Sequence, residues 1–122
     1  VETSDVEHHK LMTSQRPEEE IEEFIKTGKF DAIIGLDETA GSMAINKAKQ
    51  LNIKMPEELA VVGFTDRILA QNAYPKMSVI SQHASDLGQN TVKIIIDRMA
   101  NKEAKPIRFI QPTTLIKRAS SE

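Results

Sequence analysis

Apolar positions change their spacing repeatedly along the chain, and the changes divide it into short strands and amphipathic helices. Ala32-Ile33-Ile34-Gly35-Leu36 and Leu59-Ala60-Val61-Val62-Gly63-Phe64 are nearly continuous apolar runs, the pattern of strands covered on both faces in a parallel sheet. Between them Ala40, Met43, Ala44, Ala48 and Leu51 recur at three- and four-residue spacing and make one helical stripe. Asp37 is placed to cap the start of that helix and Asn52 to end it. Upstream, Pro17-Glu18-Glu19-Glu20 has the make-up of a first helical turn: proline is tolerated there, and carboxylates favour the positive end of the helix dipole. Ile21, Phe24 and Ile25 would face the core, with Gly28 ending the helix before Phe30 opens the next strand. Downstream, Asp66 is expected to cap a short helix through Ile68, Leu69 and Ala73 that Tyr74-Pro75 closes. A strand follows over 77–82. Leu87, Thr91, Val92, Ile95, Ile96 and Met99 then mark a long amphipathic helix over 84–100. The segment 102–106 reads as a polar turn, and 108–117 as extended chain interrupted by Pro112.

With a first strand ahead of Asp5, the order is β-α-β-α-β-α-β-α-β. That order calls for an α/β three-layer sandwich with a mostly parallel sheet and right-handed crossovers. A chain of 122 residues is one domain, long enough to bury a core. Its 16 Lys and Arg against 18 Asp and Glu leave no basic coat for phosphates, which argues against DNA binding by this segment itself. The absence of cysteine excludes disulfides and thiolate metal sites. No apolar run approaches the roughly 20 residues that span a bilayer. The opening Val1-Glu2-Thr3-Ser4 has neither an initiator Met nor a basic segment before an apolar one, so the chain reads as a fragment with no visible signal peptide.

Three ordered segments carry a family resemblance. They are Phe30-Asp31-Ala32-Ile33-Ile34-Gly35-Leu36-Asp37-Glu38-Thr39-Ala40-Gly41, then Ile53-Lys54-Met55-Pro56-Glu57-Glu58-Leu59-Ala60-Val61-Val62-Gly63-Phe64-Thr65-Asp66, then Pro75-Lys76-Met77-Ser78-Val79-Ile80-Ser81-Gln82 with Leu87-Gly88 beyond. Together, over residues 30–118, the chain resembles the C-terminal part of the effector-binding domain in lac repressor/galactose repressor regulators. The resemblance implies a type I periplasmic-binding-protein-like fold, with ligand held between two lobes against the carboxyl ends of the strands. The same position follows from the general rule for open α/β sheets. It implies that residues 1–82 and 112–122 form the C-terminal lobe, with crossover at Ser81 and Gln82, and that 83–111 belongs to the other lobe. The apolar stripe of the helix over 84–100 would then lack its partner here, and is expected to pack elsewhere or on a second chain.

The expected effector wall is Asp37, Thr65 and Asp66. Two positions depart from the family pattern: Leu36 stands where an effector-binding Asn is common, and Thr65 where an Asp is common. Sugar hydroxyls need convergent polar partners, so either the ligand is less hydroxylated than a simple sugar or the other lobe reads it. The expected dimer surface is Ala40, Ala44, Ala70 and Tyr74, since tyrosine is favoured at interfaces.

Asp37 as a helix cap is the simpler alternative to Asp37 as a ligand. Asp5, Asp37 and Thr65 resemble the acidic and hydroxyl positions of a phospho-accepting receiver, but such a site needs clustered carboxylates for Mg²⁺. Here Lys76 precedes its strand, where a receiver has a lysine at a strand's end. His8-His9 are adjacent and point apart, a poor pair for one ion. His83 falls at the crossover, as a hinge or helix-start residue. Gly35, Gly41 and Gly63 are isolated and suit close strand–helix packing rather than phosphate binding. No metal site, cofactor or catalytic constellation is expected. The resulting expectation is a cytoplasmic, non-enzymatic, dimeric repressor segment that senses a sugar-like small molecule. It would meet DNA only through a separate headpiece and would not touch membrane. The alternative is an extracytoplasmic solute-binding protein of a transporter.

Overall fold

The computed structural model describes residues 15–64, 66–103 and 105–122. Among the described residues eight elements alternate: α1 (Pro17–Lys26), β1 (Ala32–Ile34), α2 (Glu38–Gln50), β2 (Ala60–Phe64), α3 (Ile68–Asn72), β3 (Ser78–Ser81), α4 (Ala84–Ala100) and β4 (Thr114–Ile116). The strand expected ahead of Asp5, with Asp5, His8 and His9, lies outside the described residues. The helix expected over 84–100 is found with those bounds.

The sheet has strand order β1-β2-β3-β4. β1 to β3 are parallel, with Ile33 beside Val61 and Gly63 beside Val79. The sheet is mostly parallel, as expected; β4 is the exception and runs antiparallel to β3, with Ile116 beside Val79 and Thr114 beside Ser81. Of the extended segment expected over 108–117, only Thr114–Ile116 pairs. The strand expected to open at Phe30 begins at Ala32, because Phe30 is turned to stack on Phe24 of α1, ring centroids 4.7 Å apart.

The core lies on one face of this sheet. Val61 and Val79 point into it together with Ile21 and Ile25 of α1, Ala44, Ile45 and Ala48 of α2, Ala70 of α3 and Met77. The first three helices therefore share one layer. The opposite sheet face carries Ile34, Val62, Phe64, Ile80 and Leu115, all at least partly exposed.

Local rules account for the helix ends. Asp37 accepts from the Ala40 amide at 2.7 Å and caps α2. Asn52, at φ 56°, closes it: the Ile53 amide reaches the Ala48 carbonyl at 2.9 Å and the Asn52 amide the Lys49 carbonyl at 3.0 Å, a left-handed helix stop. The expected glycine packing is also present. A Cβ on Gly35 would sit 2.5 Å from the Gly41 nitrogen, and one on Gly41 would sit 2.6 Å from Met77 Sδ.

α4 is the element without a home. No residue of it is buried, and Val92, Ile95, Ile96 and Met99 are 52–72% exposed. Packing of its stripe elsewhere within the described chain is thus overturned. Helix formation needs only local periodicity, whereas burial needs a facing surface, and this stripe is left largely exposed.

Candidate functional site

Parallel strands bring their carboxyl ends to one edge, and β4, running the other way, brings its first residue there too. This edge carries Leu36 and Asp37 after β1, Ser81, Gln82 and His83 at the end of β3, and Thr114 at the start of β4. Thr65, expected in the effector wall, lies outside the described residues.

Leu36 is 77% exposed and Asp37 is exposed beside it. Asp37 spends one oxygen on the α2 cap, so the capping alternative is realised while the carboxylate still faces solvent. At the other end of the edge, His83 holds a left-handed conformation at φ 49°. Its Nε2 lies 2.8 Å from Thr114 Oγ1, and its amide donates to Ser81 Oγ at 3.4 Å. The chain leaving toward α4 and the chain returning from it are therefore clasped where Ser81 faces Thr114.

Asp66 is placed otherwise than expected. It does not cap α3, whose N-cap position is Arg67 with no side-chain cap bond. Its Oδ1 accepts from Arg118 Nη2 at 2.9 Å, and Arg118 Nη1 donates to the Met77 carbonyl at 3.0 Å. The carboxylate is thus drawn toward the residue before β3, which is that strand's amino end. α3 receives its cap from a distant residue: Glu38 Oε1 accepts from the Leu69 amide at 2.8 Å and the Ala70 amide at 3.2 Å. α3 also stops at Asn72, one residue short of the expected Ala73.

The expected dimer residues divide. Tyr74 is 80% exposed, with Lys49 Nζ 5.1 Å from its ring centroid, and Ala40 is half-buried. Ala44 and Ala70 are core residues at 1% and 0% exposure, so neither side chain presents a surface to a partner. The small-residue stripe that marked α2 is the face it closes against the strands.

Glu38, Arg118 and Thr114 are the residues that sequence reasoning missed. Their contacts span 31 or more positions, and no local pattern announces such pairs. A separate groove of about 300 Å³ between α1 and α2 is lined by Glu18, Met43, Asn46, Lys47, Lys49 and Gln50, away from the carboxyl edge. Among the described residues, no three His, Asp or Glu side chains gather to hold a metal ion, and no helix is long and apolar enough to cross a membrane.

The periplasmic binding protein-like domain family matches residues 2–121. The HTH-type transcriptional regulator CelR of Thermobifida fusca is 28% identical over 90 residues, covering 74% of this chain and 26% of that protein. Among solved structures, a transcriptional regulator CelR–cellobiose complex superposes with a TM-score of 0.77 at 25% identity, over 85% of this chain and 32% of the other. A periplasmic binding ribose operon repressor protein from Lactobacillus acidophilus does so with a TM-score of 0.76 at 28% identity, over 90% and 42%. The chain spans about a quarter to two fifths of these proteins.

Proposed function

Because this chain belongs to the periplasmic binding protein-like domain family, we propose that it is part of the effector-sensing half of a cytoplasmic, DNA-binding transcriptional repressor of the lac repressor type. Its relatives are transcriptional regulators rather than enzymes, and the family expected from the sequence is the family found. The observation that carries the proposal is the carboxyl edge, where an open α/β sheet takes its ligand. Asp37 and Leu36 stand there in solvent at one end, and the clasped crossover at Ser81, His83 and Thr114 stands at the other.

On this reading Asp37 faces a small sugar-like effector, Thr65 remains a candidate contact by its place in the sequence, and Asp66 serves the fold through Arg118. Residues 83–111 belong to a second lobe, which is what would cover the stripe of α4. Tyr74, exposed beside the last turn of α2, lies toward a second subunit.

 On the same reading Ala40, half-buried in the first turn of α2, belongs to that interface. The chain itself performs no chemistry: a ligand that binds one arrangement of the lobes more tightly than the other shifts their closure, and the shift reaches DNA through a separate headpiece.

The test is calorimetric titration of the intact protein carrying this chain with mono- and disaccharides, ribose and cellobiose first, followed by DNA binding to its own promoter with and without the sugar that binds. Saturable binding that changes DNA affinity is expected. Sugar binding by a protein with no affinity for DNA would overturn the repressor reading in favour of a transporter's solute-binding protein.

A further inference from the structure

We propose that Glu38 is a positioning residue that relays the state of the β1–α2 turn to α3. Two caps stand in series. Asp37 Oδ1 accepts from the Ala40 amide at 2.7 Å, which fixes the first turn of α2. Glu38 is the first residue of that turn, and its Oε1 accepts from the Leu69 and Ala70 amides at 2.8 and 3.2 Å. α3 depends on this contact. It is five residues long, and its own N-cap residue, Arg67, makes no side-chain cap bond. Isolated helices under about 12–15 residues are marginal in water, so α3 is held by what it touches.

What α3 presents gives the relay its consequence. Ala70 is sealed against the core, while Ile68, Leu69 and the following Tyr74 are exposed. Lys49, in the last turn of α2, lies over the Tyr74 ring. The first and last turns of α2 therefore grip the two ends of the α3 segment. A displacement of the Leu36–Asp37 turn that frays the first turn of α2 withdraws Glu38, frees two amides of α3 and loosens the apolar patch. That this turn answers to an effector rests on the function proposed above; the relay between the two caps does not.

Amide exchange measured by NMR on the intact protein carrying this chain separates the two. Glu38→Ala is expected to speed exchange at Leu69 and Ala70 about tenfold, the factor that corresponds to ~1.4 kcal/mol, with Val61 and Val79 unchanged. Glu38→Gln keeps an acceptor oxygen and is expected to restore most of the protection. Asp37→Ala is expected to speed the same two amides when Glu38 is present and to add nothing in the Glu38→Ala background. An equal effect of Asp37→Ala in both backgrounds would overturn the relay. So would unchanged exchange at Leu69 and Ala70 in Glu38→Ala, or an equal loss at Val61 and Val79 in both Glu38 variants. Failure of ribose or cellobiose to bind the intact protein would remove the effector reading and leave the relay standing.

Discussion

Arg118 and Asp66 form an ion pair with Nη2 2.9 Å from Oδ1, and each side chain is only 18% exposed. The same guanidinium binds the Met77 carbonyl, so one side chain joins the end of the chain to the segments on either side of α3. Removing one partner leaves the other charge half-buried and alone. Arg118→Met is expected to destabilise the chain by about 2 kcal/mol, within the range for hydrogen bonds to charged groups. Asp66→Asn should cost less, and the double variant less than the sum, because the two residues are in contact. Urea unfolding of the four proteins measures this; strict additivity would show that the pair contributes nothing of its own.

Ser120 is fully buried and ties the two central strands together. Its Oγ accepts from the Ser78 amide at 2.8 Å and donates to the Val61 carbonyl, while its own carbonyl accepts from the Val61 amide at 2.7 Å. Ser120→Ala leaves a buried amide and a buried carbonyl without their side-chain partner, at a cost of about 1–3 kcal/mol. The expected outcome is a lower urea midpoint with an unchanged slope, since the surface exposed on unfolding is the same.

Gly35 and Gly41 should respond differently to alanine. At Gly35 the added methyl meets the backbone of Gly41, which has no rotamer to move, whereas at Gly41 it first meets the end of the Met77 side chain. Gly35→Ala is expected to cost roughly 3 kcal/mol, the upper end for overpacking. Gly41→Ala should cost less, with Met77 displaced. Thermal unfolding of both variants ranks them, and a milder effect at Gly35 would contradict the backbone contact.

Glu22 gives the chain one predicted pH dependence. The hydrogen bond from Lys26 at 2.6 Å, and then that from Lys47 at 3.3 Å, hold its carboxyl below the ordinary value of 4.5. A carboxylate with a lowered folded pKa contributes stability that is complete above its unfolded pKa and lost as pH falls through the folded one. Stability should therefore decline as pH drops below 4.5, and Glu22→Gln should flatten that decline. Urea midpoints across this range, with and without the substitution, provide the check.

The candidate site was only partly legible in the sequence. Asp37 was readable both as a cap and as an edge residue, because each role follows from its place between an apolar run and a helical stripe. Leu36 was readable as an apolar departure, and it stands exposed at the edge. Asp66 looked like a cap because it precedes a short helix, yet a carboxylate caps only if no stronger partner reaches it, and Arg118 arrives from 52 positions away. Ala44 and Ala70 looked available to a partner because small residues suit both interfaces and cores, and spacing alone does not say which surface closes on them.

The sequence by itself determined the order of elements, the ends of α2 and the span of α4, since these rest on interactions within about a helical turn: periodicity, an Asp cap, an Asn stop. It also determined the family, through three segments in fixed order. The tertiary structure decided that β4 runs antiparallel, that Glu38 caps α3, that Arg118 takes Asp66 and that Ser120 joins β2 to β3. Each of these pairs residues more than 30 positions apart. Such contacts form only after the chain has closed long loops, and their partners are selected by the packed geometry rather than by anything in the neighbouring sequence.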